Sequence, residues 1–171
     1  MQIIKALNNN MILAVDNTGS ECICQGKGIG FNAKKGASLN VDAVERIFFP
    51  ETEAESDRWQ RSFSALPEDL IELGQIIIAD ARDVYQISVS DRVLLPICDH
   101  MMGAIDRYKK DIVLKNPMLD SIKEIYPKEF KVGLNAIKLI KEKYGVEMLE
   151  DEAAFLAYHF VIQGLGRGEN N

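Results

Sequence analysis

The hydrophobic period changes once along this chain, and that change constrains the fold more than any other feature. Up to residue 49, apolar residues occur in short alternating runs separated by turn residues, which is typical of antiparallel strands. From Leu66 onward they recur every three to four residues, which indicates helices. Residues 51–56 between them are acidic and predict an unstructured linker. We therefore expect an α+β chain in two domains, a small antiparallel sheet followed by an all-α bundle.

Both halves predict individual elements. The first predicts a meander of four strands, because asparagine and glycine clusters separate its apolar runs. These runs span 2–7, 11–15, 21–25 and 44–49. The second half predicts five or six helices. Five of them have predicted bounds, which are 66–85, 90–108, 116–126, 128–144 and 149–165. Pro96 should kink the helix that Ser90 caps, and Gly145 should end the helix before it. A domain of about 50 residues buries little surface, so we expect the β domain to oligomerise.

The first half also holds a glycine-rich stretch, Gly26-Lys27-Gly28-Ile29-Gly30-Phe31. Glycine adopts positive φ and lets a second backbone or a ligand approach closely. With the Lys27 cation and the Phe31 ring beside it, the stretch suits a nucleic acid strand, which needs phosphate neutralisation and base stacking. A plain structural turn is the alternative. The glycine spacing excludes a dinucleotide fingerprint, and Gly28 stands where a P-loop needs Ser or Thr after its lysine.

Charge is divided unevenly between the two halves. The chain carries −6 overall, yet residues 1–40 hold four lysines against two acidic residues, a net +2, and the rest carries −8. Such asymmetry is typical of two modules with different partners. No apolar run approaches the roughly 20 residues of a membrane helix, and the N-terminus has no secretory signal. We expect a cytoplasmic protein with no membrane insertion.

The three cysteines are an odd number, which favours reduced thiols. Cys22 and Cys24 share one face of a predicted strand. We expect them to be small buried apolar residues, because no second Cys/His pair completes a metal site. The sequence therefore predicts no metal and no cofactor.

Both histidines are predicted to lie inside helices. Arg107 follows His100 by seven residues and Glu152 precedes His159 by seven, so each histidine shares a helix face with a charged group. Histidines packed on apolar faces are the simplest interpretation. Metal binding needs more ligands, and a serine hydrolase needs a nucleophile motif that the sequence lacks. Phosphoryl acceptance stays open, because neutral imidazole is a nucleophile near pH 7 and Arg107 could hold the phosphate oxygens.

Two sets of motifs, one in each half, follow the order and spacing of one known family. The first set is Ile3-x-Lys5-x-Leu7-Asn8-Asn9-Asn10, the stretch 26–31, and Lys34-Lys35. The second set is Asp99-His100, Ala104-Ile105-x-Arg107, Tyr126-Pro127-Lys128-Glu129-Phe130, Asp151-Glu152-Ala153 and His159. The first resembles the co-antiterminator RNA-binding domain of bacterial sugar-operon antiterminators of the BglG/SacY type. The second resembles the first phosphotransferase-system regulation domain of that family.

The resemblance implies a β domain at 1–55, a linker and helix start at 56–62, and a regulation domain at 63–171. The β domain would bind a leader-RNA hairpin as a homodimer and prevent a terminator from forming in a sugar-utilisation operon. The residues implied in RNA contact are Lys5, Asn8, Asn10, Gly26, Lys27 and Phe31. Family members normally carry a second regulation domain, so we expect either a fragment or a protein that lacks positive control by the histidine phosphocarrier protein.

For the regulation domain, the resemblance implies phosphorylation on His100 or His159 when the sugar is absent. The implied partners are the sugar permease (enzyme II) of the phosphotransferase system and the phosphocarrier protein. The implied supporting residues are Asp99, Arg107 and Glu152. Phosphorylation would repack the helical dimer and disable RNA binding.

The main hypothesis is therefore a regulator and not an enzyme. One alternative is a phosphorelay or interaction module without RNA binding, in which the glycine-rich stretch is a simple turn. Another is an enzyme that uses His100 and His159 as acid and base. Transfer of phosphate to a stable phosphohistidine would favour regulation, and turnover of a product would favour an enzyme.

Overall fold

The computed structural model describes residues 1–168, the side chains of 165–168 excepted. It divides into two compact units, of which the first is Met1–Glu68 and the second begins at Asp69. Each unit buries its own apolar cluster. The change of hydrophobic period therefore corresponds to a change of architecture.

A four-stranded antiparallel sheet forms the base of the first unit. Its strands are β1 (Gln2–Asn8), β2 (Met11–Val15), β3 (Glu21–Gln25) and β4 (Arg46–Phe48). They follow chain order across the sheet, so the predicted meander is confirmed. Asp16 shapes the turn after β2, because its carboxylate accepts hydrogen bonds from the backbone N–H groups of Thr18 and Ser20.

One face of the sheet buries the cysteine pair. The Sγ atoms of Cys22 and Cys24 lie 3.9 Å apart, in a cluster that includes Ile12 and Leu39. Both cysteines are free and fully buried. The prediction that they are small buried residues on one strand face is confirmed.

The opposite face packs against helix α1 (Glu53–Ala65). Leu13, Ile23 and Phe48 are paired neighbours on β2, β3 and β4 and form one apolar row. The Phe63 ring of α1 lies 5.8 Å from the Phe48 ring, centroid to centroid, and both rings are buried. Full burial of such a side chain contributes about 1.5–3 kcal/mol. Helix α1 therefore belongs to the core of the β unit.

The prediction of an unstructured segment over 51–56 is wrong from Glu53 onward, because α1 begins there. The Thr52 hydroxyl caps the helix by accepting a hydrogen bond from the Glu55 N–H at 3.0 Å. The Glu55 carboxylate accepts one from the Glu51 N–H at 2.7 Å. Thr52-x-x-Glu55 has the spacing of a capping box, so the acidic residues mark a helix start.

In the part of the chain that the structure describes, five α-helices follow α1, and the predicted all-α bundle is confirmed. They are α2 (Glu68–Asp83), α3 (Leu94–Lys109), α4 (Leu119–Ile125), α5 (Pro127–Tyr144) and α6 (Glu150–Gly168). Gly145 takes the left-handed conformation at φ 69° and ends α5 as predicted. Among the described residues, no helix has the length and apolar character that crossing a bilayer would require.

The helix predicted from Ser90 starts in two steps. Ser90 caps a 3-10 turn over Asp91–Val93, its hydroxyl accepting a hydrogen bond from the Arg92 N–H at 3.2 Å. Helix α3 then begins at Leu94, so Pro96 lies in its first turn. Proline is tolerated there, because the first backbone N–H groups of a helix have no intrahelical acceptor. The prediction that Pro96 lies well inside the helix and kinks it is therefore wrong, because the chain changes from a 3-10 turn to an α-helix before the proline and Pro96 lies in the first turn.

Two glycines inside helices permit close helix packing. A Cβ at Gly133 on α5 would lie 2.0 Å from the carbonyl oxygen of Ala153 on α6. A Cβ at Gly74 on α2 would lie 2.6 Å from the Sγ of Cys98 on α3. Neither distance is possible for a real Cβ, so both helix pairs depend on a missing side chain. These contacts hold α3 and α6, which carry the histidines.

We expect Gly133→Ala to lower the free energy of unfolding by about 1–3 kcal/mol, because the added methyl forces α5 away from α6. Gly103→Ala is the matched control on α3, since nothing lies within 4 Å of its Cβ position. That change should stabilise the protein by up to about 1 kcal/mol through helix propensity. Urea denaturation measures both, and equal effects of the two substitutions would contradict the packing argument.

Candidate functional site

The glycine-rich stretch packs on the turn between β1 and β2. The N–H groups of Gly26 and Gly30 donate hydrogen bonds to the backbone carbonyls of Asn10 and Asn9, both at 2.9 Å. The Gly28 N–H donates to Asn10 Oδ1 at 2.9 Å. The loop and the turn are therefore one hydrogen-bonded surface, which we call the loop–turn surface (residues 8–10 and 26–31).

The three glycines of the loop are needed for two different reasons. A Cβ on Gly26 would lie 2.1 Å from the Ala43 carbonyl oxygen, and one on Gly30 would lie 1.9 Å from that of Asn8. Gly28 has open space around it, but its φ of +73° strains any other residue. The sequence predicts that a second backbone or a ligand approaches these glycines closely. At Gly26 and Gly30, it is the backbone of this chain that does so.

A cation and an aromatic ring project from this rigid loop. Lys27 is exposed, and the Phe31 side chain is 68% exposed. Lys5 on β1 is exposed as well. Within the described residues neither lysine forms an ion pair. These side chains offer what a nucleic acid strand requires, two uncompensated positive charges and a stacking platform.

The structure brings the predicted RNA-contact residues of the loop and the turn together, and Lys5 lies three residues before Asn8 on β1. The asparagines also make internal hydrogen bonds. Asn8 Oδ1 accepts from the Asn10 N–H at 2.8 Å, and Asn8 Nδ2 donates to the Phe63 carbonyl of α1 at 3.3 Å. This attachment of α1 to the turn was not predicted, because it depends on how a helix distant in sequence packs.

In the second unit, α3 and α6 bring the predicted phosphorylation residues together around one carboxylate. His100 Nε2 lies 2.9 Å from Glu152 Oε2, and Arg107 Nη1 donates to Glu152 Oε1 at 2.9 Å. The Glu152 side chain is completely buried, whereas those of His100 and Arg107 are each 22% exposed. The seven-residue spacing on α3 therefore places two donors on the same acceptor.

Glu152 fixes the proton of His100. Burial by itself would raise the pKa of the Glu152 carboxyl, but hydrogen bonds from His100 and Arg107 outweigh it and lower the pKa. An ionised carboxylate can only accept, so His100 Nε2 carries the proton of the shared bond. In the uncharged form of this ring, the lone pair is therefore on Nδ1.

His159 lies beside His100, with the ring centroids 5.5 Å apart in an edge-on arrangement. Burial, and after it the nearby His100, lowers the pKa of His159 to about 4. At neutral pH this ring is therefore uncharged and has a free lone pair, the form in which imidazole is a nucleophile.

The remaining N–H groups of Arg107 have no protein acceptor in the described part of the chain. A partly exposed guanidinium of this kind binds oxyanions. Together with the uncharged His159 ring and the His100 ring, it makes a site suited to accepting a phosphoryl group. No cluster of three or more His, Cys, Asp or Glu side chains among the described residues is arranged to hold a metal ion.

Two residues differ from the sequence-based expectation of the site. Asp99 lies outside the hydrogen bonds around Glu152, and its side chain is largely exposed, although the neighbouring residues remove enough water to raise the pKa of its carboxyl. Phe155 was missed, although its ring lies 5.8 Å from the His100 ring. Its position four residues before His159 on α6 is the signal that could have identified it.

Adjacent acids on α6 have different partners. The buried Asp151 carboxylate accepts a hydrogen bond from the Asn116 N–H at 2.7 Å, while Glu152 faces α3. Asp151 thus holds the segment before α4 and takes no part in the contacts of the histidines.

Comparisons with known proteins match both units. Residues 1–57 match the family model described as CAT RNA binding domain, and residues 75–162 match the model described as PRD domain. The chain is 32% identical over 161 residues to the transcription antiterminator LicT of Bacillus subtilis (strain 168), covering 94% of this chain and 58% of that protein. It is 30% identical to the beta-glucoside operon antiterminator of Dickeya chrysanthemi, covering 94% and 57%.

The crystal structure of GlcT CAT-PRDI superposes with a TM-score of 0.78 at 27% identity, over 95% of this chain and 97% of that one. The same order of sheet and helices is therefore found in a solved structure. The chain spans a little over half the length of the two antiterminators.

We expect the free energy of unfolding to fall as the pH drops from 7 to 5, because His159 titrates near 6.5 when unfolded and near 4 when folded. The unfolded state then binds more protons, which costs the folded state about 2 kcal/mol over this range. His159→Gln should remove that part of the pH dependence. Ring NMR titration measures the pKa directly, and a midpoint near 6.5 in the folded protein would contradict the assignment.

Proposed function

The chain belongs to the BglG/LicT family of transcription antiterminators, with a CAT RNA-binding domain followed by a PRD domain, and from that membership we propose that it is a cytoplasmic antiterminator controlled by histidine phosphorylation. Its β unit binds a hairpin in a leader transcript as a dimer and prevents the terminator of a sugar-utilisation operon from forming. Its ligand is thus an RNA structure, and the protein catalyses no reaction on that RNA.

The observation that carries the RNA half is the loop–turn surface. Its glycines fix the backbone, while the side chains of Lys27 and Phe31 are exposed and have no ion pair or ring contact within the described residues. A lysine on a fixed loop contacts a phosphate, and an exposed ring stacks on an unpaired base. Asn10 contributes its amide Nδ2, because its Oδ1 already accepts from Gly28. We assign Lys5, Asn8 and Gly26 to the same surface, the last as a backbone support.

The carboxylate of Glu152 carries the regulatory half of the proposal. When the sugar is absent, a phosphoryl group passes from the phosphotransferase system to His100 or His159. The enzyme II permease is the partner we propose as donor, with the histidine phosphocarrier protein as a second one. On His100 the accepting atom is Nδ1, since Nε2 donates to Glu152.

Phosphate on either ring then competes with Glu152 for the same donors. A phosphohistidine adds close to two negative charges beside a buried carboxylate, and Arg107 can turn toward the phosphate oxygens. Glu152 would be left buried with fewer partners, which is costly, so α3 and α6 must repack. We propose that this repacking disables the RNA-binding dimer.

We expect Lys27→Ala to weaken binding of the leader-RNA hairpin and to reduce the salt slope of log K by about one, because one phosphate contact is lost. Phe31→Ala should cost about 1–3 kcal/mol through lost stacking and leave the salt slope unchanged. Lys138→Ala, an exposed lysine of α5, is the matched control. Gel shifts over a range of salt concentrations measure all three. Unchanged RNA binding by Lys27→Ala and Phe31→Ala would instead favour an interaction module.

We expect phosphoramidate, a chemical phosphoryl donor, to modify the chain at a histidine with release of ammonia. The product should carry a single phosphoryl group, because the second ring lies beside the first and would bring another dianion to the same carboxylate. Intact mass measures the stoichiometry. The variants His100→Ala and His159→Ala should each still accept one phosphoryl group. Two phosphoryl groups on the parent protein would show that phosphate on one histidine does not prevent phosphorylation of the other.

A further inference from the structure

An open groove of about 580 Å³ lies between strand β1 and helix α1 of the first unit. Its lining residues are Lys5, Asp57, Gln60, Arg61, Ser64 and Ala65. The helix residues recur at intervals of three and four, so they form one face of α1. The groove has room for a phosphate group with its water, since one water occupies about 30 Å³.

Strand pairing shows that the groove adjoins the loop–turn surface. Lys5 and Asn8 pair with Leu13 and Met11, which are two residues apart on β2 and so point to the same face. That face is the one on which α1 packs through Phe63. Asn8 Nδ2 also donates to the Phe63 carbonyl at 3.3 Å. The C-terminal half of α1 therefore continues the surface that holds the proposed RNA contacts.

Arg61 is the exposed cation on this side of α1. Asp57 precedes it by four residues, the spacing of a helical ion pair, yet the structure gives neither residue an ion pair within its described part. The Arg61 guanidinium is thus a free donor across the groove from the Lys5 ammonium. The two cations outnumber the single carboxylate of the groove, and such an excess of positive charge suits the phosphate backbone of a nucleic acid.

We propose that Arg61 contacts the RNA backbone, so that the RNA-binding surface extends from β1 onto α1. The proposal rests on the proposed function and deepens it, because residues 1–57 match the RNA-binding family model and Arg61 lies beyond them. The contact is electrostatic and carries no sequence readout. The Asp57 carboxylate in the same groove repels the RNA phosphates and so weakens the contact that Arg61 makes.

The experiment measures binding of the leader-RNA hairpin to the full chain by gel shift at several salt concentrations. Arg61→Ala should weaken binding about three- to tenfold near 0.1 M salt and lower the salt slope by about one. Arg61→Lys should keep the slope, because it keeps the charge. Asp57→Asn should strengthen binding, because it removes the opposing charge.

Arg58→Ala is the matched control, since Arg58 is an exposed arginine of the same helix that does not line the groove. It should change affinity less than twofold. Equal losses for Arg58→Ala and Arg61→Ala would overturn the proposal by showing a general charge effect. Circular dichroism of each variant checks that α1 is intact, and loss of helix in Arg61→Lys as well as Arg61→Ala would assign Arg61 a folding role and reject the contact.

The outcomes separate this proposal from the proposed function. If Lys27→Ala loses affinity while Arg61→Ala binds as the parent does, the extension onto α1 is wrong and the antiterminator function stands. If the parent chain itself ignores the hairpin, the RNA-binding function fails and the extension fails with it.

Discussion

A fully buried carboxylate, held by donors from a neighbouring helix, is the constraint on which the arrangement of the two histidines depends. Glu152 on α6 receives hydrogen bonds from His100 and Arg107 on α3, both at 2.9 Å. Removing one partner from a buried charge costs more than the pair itself contributes, because the remaining charge is left without solvation. The contact is therefore a weak source of net stability and a strong determinant of how α3 and α6 are positioned. A new charge beside this carboxylate therefore changes the energy of its hydrogen bonds directly.

In the first unit the constraint is on the backbone. The Lys27 and Phe31 side chains are exposed, so apolar burial cannot position them. Backbone hydrogen bonds from the loop to the Asn9–Asn10 turn fix the frame, and two glycines let the backbones come into contact. The loss of flexibility falls on the backbone, while the functional side chains stay free. A rigid frame lowers the entropic cost of ordering a binding surface.

The sequence was informative wherever a local pattern determines structure. Alternation and turn residues predicted the meander, the period of 3.6 predicted the helices, and Gly145 predicted the end of α5. The start of α1 is also determined locally, by the Thr52-x-x-Glu55 spacing, although the acidic composition of that segment favours a linker.

Contacts between helices could not be predicted in the same way. Spacing placed Arg107 with His100 and Glu152 with His159, each on one helix. That Glu152 instead binds the two α3 residues depends on how α3 and α6 pack. The position of α6 depends in turn on Gly133 of α5, which lets α5 approach Ala153 of α6 closely. Similarly, no local pattern showed that Asn8 binds the Phe63 carbonyl.

We propose that phosphate on an imidazole takes donors away from Glu152 and so loosens α3 against α6. Amide hydrogen exchange, compared between the phosphorylated and the unmodified chain, tests it most directly. We expect faster exchange in α3 around His100 and in α6 around Glu152 after phosphorylation. Identical protection of both helices in the two forms would contradict it.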